Sequence, residues 1–333
     1  MGNLTKLSLG LIICSTLANG QGNILTNKVD DFTQKVQTAI ETDNVYQFFA
    51  GIGVNNLNRD VKSSNADYTV DTLYEVEAGV IFLPESYKIS LGYKTAVNNG
   101  KSRDYTYTAS DNSKPRSIVF STELLSNKDY GYLNFEYANV TLNSALKNTG
   151  STNIYMLEHG SSVNPSGFQE LAPGQIAQAK EKTEQISFAY RLPQLPNLGI
   201  TAGYFDRTIP MLIEKPSLSQ VIASDATKAD GMVYGIGYFE DFEKAPKNKL
   251  VFKRVAYALS DLDAKTTDAN GNVIKGTAAT ESLLVDIGYK FSKFELMFTN
   301  RYTKTTAKDF NDITVSDFSQ TELATNLSVV VKF

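Results

Sequence analysis

The chain holds one histidine, His159, within EHGSS, followed closely by Ser161 and Ser162. A hydroxyl nucleophile needs a base to take its proton and a third group to orient that base. A histidine lying mid-way along a long polar connection has no such support, so no catalytic residues are assigned and no enzyme is expected. Metal chemistry is equally poorly supplied. One His and one Cys cannot assemble the usual nitrogen and sulfur ligand sets. The segment DANGN, residues 268–272, has the oxygens of a calcium loop but lacks the bidentate Glu at the required offset. It reads as a turn built on Asn270 and Gly271, and neither a metal nor a cofactor is expected.

What remains is charge. Single ionisable residues recur through the chain: Glu75, Glu77, Lys88, Lys94, Glu123, Glu136, Arg191, Arg207, Arg254, Asp286, Lys290, Glu295, Arg301, Glu322 and Lys332. Neither sign dominates. With 32 basic against 36 acidic residues and no Lys/Arg cluster, the chain lacks the electrostatic footprint of a nucleic-acid binder. Charges of mixed sign can line a water-filled path and set up a transverse field, or they can pair and brace an interior. Which of these holds depends on the elements that carry them.

From about Tyr46 onward, apolar and polar residues alternate in segments of about ten, the period of strands with two different faces. In YKISLGYK, residues Tyr87, Ile89, Leu91 and Tyr93 fall on one face and Lys88, Ser90, Gly92 and Lys94 on the other. TEQISFAYRL and LLVDIGYKF repeat the arrangement. Strands are predicted near 44–55, 69–83, 86–95, 116–126, 131–141, 183–192, 198–207, 231–240, 249–260, 281–291, 294–304 and 319–333. The connections alternate between short ones (LPES, SNKD, PQLPN, EDFEKAPKN, FSK) and long ones, the third running some forty residues from Thr141 to Lys182. The polar face is rich in Gly and Ser with single charges, unlike the Lys/Glu/Thr surface of a soluble sandwich, and so suits a lumen. Tyrosines recur at strand ends on the apolar face (Tyr74, Tyr93, Tyr190, Tyr204, Tyr238, Tyr289, Tyr302), where a ring can be buried while its hydroxyl stays wet. The predicted fold is therefore an all-β, antiparallel transmembrane barrel of about twelve strands. Every charge named above falls on its inner face, and Glu75, Glu77, Lys88, Lys94, Glu123, Arg191, Arg254, Asp286, Lys290, Glu295, Arg301 and Glu322 are assigned as pore-lining. Phe49, Leu73, Phe205, Val233, Leu250, Phe252 and Leu284 share that inner face as an apolar patch.

Residues 1–20 read as a signal peptide, with Lys6, an apolar run of about a dozen residues, and small residues around Ala18 and Gly20. Cys14 follows Ile13 rather than a small residue, so lipidation is not expected. Residues 21–43 hold a short amphipathic helix over 28–41, with Val29, Phe32, Val36 and Ile40 at helical spacing. Its apolar stripe could be covered by the lumen or by partner chains, or it could stay unordered in the monomer. Residues 44–333 are the barrel.

The end of the chain, LATNLSVVVKF, puts Leu327, Val329, Val331 and Phe333 on one face. It resembles the C-terminal assembly signal of Gram-negative outer-membrane β-barrel (porin-like) proteins, a terminal aromatic preceded by alternating apolar residues. That resemblance implies an outer-membrane location in a Gram-negative bacterium and recognition of the terminal face by the barrel-assembly machinery, with outer-membrane lipid as the surroundings. The function it implies is passive diffusion of small hydrophilic solutes. The alternative is a structural or adhesive surface protein that uses its barrel as an anchor for the loops. Oligomerisation is left open.

Overall fold

A segment with Tyr46, Phe48, Ala50, Ile52 and Val54 on one side and Phe49, Gly51, Gly53 and Asn55 on the other has two faces that want different solvents. A closed barrel satisfies both, and it leaves no unpaired sheet edge in lipid. In this computed structural model, which describes residues 33–34, 37–38, 45–61, 66–69, 72–82, 89–98, 115–127, 131–157, 168–208, 211–215, 218–223, 228–240, 245–267, 273–311 and 318–333, seventeen strands form. They are β1 (Tyr46–Val61), β2 (Ala66–Thr69), β3 (Leu73–Phe82), β4 (Ile89–Ala96), β5 (Arg116–Asn127), β6 (Gly131–Asn148), β7 (Ile154–Leu157), β8 (Phe168–Leu171) and β9 (Ile176–Arg191). The second half adds β10 (Leu198–Thr208), β11 (Met211–Lys215), β12 (Leu218–Ala223), β13 (Lys228–Phe239), β14 (Leu250–Thr267), β15 (Val273–Lys290), β16 (Glu295–Lys308) and β17 (Phe318–Lys332).

Twelve strands close into one antiparallel barrel in the order β1, β3, β4, β5, β6, β9, β10, β13, β14, β15, β16, β17, with β17 returning to β1. These are the twelve segments that the alternation predicts. At the seam, Phe48 and Phe333 exchange both backbone hydrogen bonds at 2.9 Å. The chain therefore begins β1 and ends β17 at the same end of the barrel as the short turns.

Several strands run further than their hydrophobic pattern. β6 reaches Asn148 and β9 begins at Ile176, so Thr141 and Lys182, expected to bound the long third loop, are ladder partners. β14 and β15 likewise stay paired to Thr267↔Val273, leaving residues 268–272 to join them. Beyond the lipid-facing zone both faces of a strand can be polar, so the two-residue period vanishes while the backbone still needs its ladder.

A second difference lies in β14. Phe252 pairs with Ile287 and Arg254 with Asp286, so Lys253 is a bulged extra residue. A bulge shifts the pleat by one. Leu250 and Phe252 consequently stand on the outer face, 55% and 44% exposed, while Arg254 turns inward. Strict alternation had put all three inside.

Outside the barrel, β7, β8, β11 and β12 form a four-stranded sheet that joins two of the long connections. β2 pairs with the far end of β6, Ala66↔Asn148, and so takes the chain from β1 to a strand four places round the barrel. The signal peptide and most of the helix at 28–41 lie outside the described residues. Within the helix, Thr33, Gln34, Gln37 and Thr38 are helical and exposed.

Candidate functional site: the lumen

Near the long-loop end, four charged side chains meet across the barrel. Arg59 of β1 and Glu181 of β9 stand on strands five places apart round the circle, so their contact has to cross the interior. Arg59 donates from Nη1 and Nη2 to the two carboxylate oxygens of Glu181 at 2.5 and 3.0 Å, and from Nη2 to Glu322 Oε2 of β17 at 2.8 Å. Arg207 of β10 donates to the same two acids at 3.3 and 3.4 Å. Each guanidinium thus touches both carboxylates. The side chains of Arg59 and Glu181 are 0% and 3% exposed, and those of Arg207 and Glu322 are 10% and 14% exposed. This brace occupies the middle of the bore.

Toward the short turns, the wall carries smaller pairings. On β3 and β4, Lys94 lies 3.3 Å from Glu75 and 3.9 Å from Glu77, and Asn326 of β17 donates to Glu75 at 2.8 Å. On β14 and β15, Arg254 Nε donates to Asp286, its ladder partner, at 2.8 Å. Arg191 approaches Glu123 at 4.0 Å and lies 4.8 Å above the Tyr132 ring. Lys332 is 3.1 Å from Glu295, which also stands opposite Lys290 in the ladder. Phe49 leans across the inner wall of β3. A Cβ on Gly79 would lie 2.3 Å from its ring, so only glycine leaves room there.

Among the described inward-facing charges, Glu136 on β6 and Arg301 on β16 make no ion pair. Their strands are six places apart, on opposite walls. Lys88 lies outside the described residues, as do His159 and residues 268–272.

The pleat therefore brings the described charges among those assigned to one face, where a four-membered brace crosses the bore and smaller pairs lie along the wall. Arg59 and Glu181 were absent from the sequence assignment because they fall beyond the predicted ends of their strands. A signal for Arg59 was present, since the inner-face series Asn55, Leu57, Arg59 continues the alternation.

The outer face is the counterpart. Ile52, Leu91, Ile118, Phe188, Ile200, Ile236, Leu283 and Leu327 are all exposed, Ile52 and Ile200 at 66% and 62%. Tyrosine hydroxyls bound this apolar belt and find polar partners at both rims. Tyr238 donates to Glu240 at 2.7 Å on the short-turn side, and Tyr204 to Asp230 at 2.7 Å on the long-loop side. A closed antiparallel barrel that turns an apolar, aromatic-bounded surface outward and a charged one inward is built to stand in a bilayer. The chain is a membrane-spanning antiparallel β-barrel.

No protein-family model matches this barrel, and no curated protein does. Among solved structures, the CymD monoaromatic hydrocarbon channel is 13% identical with a TM-score of 0.32, covering 87% of this chain and 88% of its own. The outer-membrane protease OmpT of Escherichia coli is 10% identical with a TM-score of 0.33, covering 86% of this chain and 97% of its own. The β domain of the Bordetella autotransporter BrkA is 14% identical with a TM-score of 0.35, covering 85% of this chain and 98% of its own. The three differ in activity, and likenesses at this level carry none of it to this chain.

The terminal residues Leu327, Val331 and Phe333 sit on the lipid face of the barrel's closing strand, Phe333 being 71% exposed.

Proposed function

We propose that the protein is an outer-membrane diffusion channel for small hydrophilic solutes, with a bore narrowed at the long-loop end by the Arg59–Glu181–Arg207–Glu322 brace. The observation that carries this reading is the inner wall. Below the brace it holds charges of both signs, Glu75, Glu77, Glu123, Glu136 and Asp286 with Lys94, Arg191, Arg254 and Arg301. Opposed charge of this kind orients polar solutes, whereas a barrel serving only as an anchor could fill its interior with apolar side chains. Catalysis is not part of the reading.

The test is conductance in a planar bilayer. The refolded protein should pass ions in discrete steps, and the double variant Arg59→Gln/Glu322→Gln should pass several-fold more. A folded double variant that passes no current would sink the channel reading. The four-stranded sheet formed by the long connections favours a second reading, a surface platform for which the barrel is an anchor. Absence of current together with retained cell-surface binding after refolding would support it. The terminal face Leu327, Val329, Val331 and Phe333 is proposed as what the assembly machinery reads. Phe333→Ser should then reduce heat-modifiable folded barrel in cells without changing refolding in detergent.

A further inference from the structure

Charges that face water across a narrow bore tend to find partners, and nearly all of those described here do so. Glu75 and Glu77 share Lys94, Asp286 takes Arg254, Glu295 takes Lys332, and the four members of the brace pair with one another. Two inward charges of opposite sign do not: Glu136 on β6 and Arg301 on β16. They occupy opposite walls beneath the brace and make no ion pair with each other. The nearby acids Glu322 and Asp286 are held by Arg59, Arg207 and Arg254.

We propose that this part of the lumen holds a small zwitterion, its ammonium on Glu136 and its carboxylate on Arg301. The chemistry follows from two opposite charges that stand on opposite walls and do not pair. A free cation would answer Glu136 and leave Arg301 unmet; a free anion would do the reverse. A solute carrying both charges at its two ends answers both at once, and it adds no net charge beside the brace. Guanidinium binds carboxylate through two parallel donors, and carboxylate accepts from ammonium as a point charge, so the two walls also fix which way round the solute lies. The class is that of amino acids and short peptides with free termini. The inference deepens the channel reading by naming its solute, and it rests on that reading for its purpose.

The test measures binding rather than current. The refolded barrel in detergent is titrated with glycine, diglycine and triglycine, and with the single-charge halves acetate and methylammonium, by saturation-transfer NMR. One member of the peptide series, the one whose length matches the gap, should bind roughly tenfold or more tightly than either half. E136Q and R301Q should each remove that advantage. E136Q should leave acetate binding unchanged and R301Q should leave methylammonium binding unchanged. The charge swap E136R/R301E should restore binding, because a zwitterion can turn round. Heat-modifiable migration on gels establishes that each variant is folded. Equal binding of peptides and halves by the wild type overturns the proposal, and so does retained preference in both single variants. Conductance of the same samples separates the two readings. Preference without current leaves the zwitterion site standing and removes the channel, and current without preference does the opposite.

Discussion

The two levels of the lumen are made of the same side chains used in opposite ways. At the long-loop end, two arginines and two glutamates from four strands are drawn together until their side chains are nearly dry. A few residues lower, Glu136 and Arg301 carry the same pair of charges and stay apart. The difference lies in how many neighbours each charge can reach. A charge taken from water is stabilised by partners of opposite sign, and the brace supplies them reciprocally, each arginine bonding two acids through its terminal nitrogens while Arg59 Nε stays unpaired. Glu136 and Arg301 remain beside lumen water and do not need partners in the same way. The first level ties four strands together across the bore, and the second leaves two opposite charges without an ion pair.

That contrast predicts unequal costs. Arg59→Gln leaves Glu181 and Glu322 short of a cation in a buried site, where breaking a pair costs about 3–5 kcal/mol. Its urea unfolding midpoint should fall accordingly, whereas Arg301→Gln should stay within about 0.5 kcal/mol of the parent, as substitutions away from packed features do. Equal shifts would mean that the two levels are energetically alike and would break the comparison.

The next effect sharpens the distinction between inner and outer faces. Leu91 is 47% exposed on the belt, and Ser90 lies on the lumen side of the same strand. Arginine near the midplane on a lipid face costs about 2–4 kcal/mol, and a lumen-facing one does not meet lipid. Leu91→Arg should therefore lower stability in lipid vesicles far more than Ser90→Arg, as read from denaturant titration of the folded fraction.

A smaller effect probes the wall itself. Gly79→Ala places a methyl against the Phe49 ring and the Leu91 carbonyl oxygen, at 2.3 and 2.4 Å before relaxation. Overpacking of this kind costs about 1–3 kcal/mol. The combination Gly79→Ala/Phe49→Ala should recover part of the loss, since the ring is one of the two obstacles. If the double variant is as destabilised as the sum of the singles, the ring is not what the glycine accommodates.

Much of this was legible in the chain. Leu91 and Tyr93 outward with Ser90, Gly92 and Lys94 inward is the pattern of YKISLGYK, and it fixes the face of each residue because the pleat has a period of two. The same rule gave Glu75, Glu136, Arg207, Arg301 and Glu322 their side of the wall. It failed where the backbone departed from the rule. At Lys253 the bulge reverses the phase of Leu250 and Phe252, and nothing in LVFKRV distinguishes that case from a regular strand. It also stopped short at Arg59 and Glu181, because above the belt both faces of a strand are polar and hydrophobicity no longer reports the pleat.

The sequence by itself determined the architecture: alternation over twelve segments, short turns against long connections, and an aromatic-bounded apolar face leave a closed barrel in a membrane as the arrangement that satisfies them. Which charges meet was decided by the tertiary structure alone. Alternation states that Arg207 and Glu322 face inward, but the order of strands round the ring and the stagger of their ladders set which inward residues stand at one height. Those are properties of closure, and a local pattern along the chain carries no term for the wall opposite.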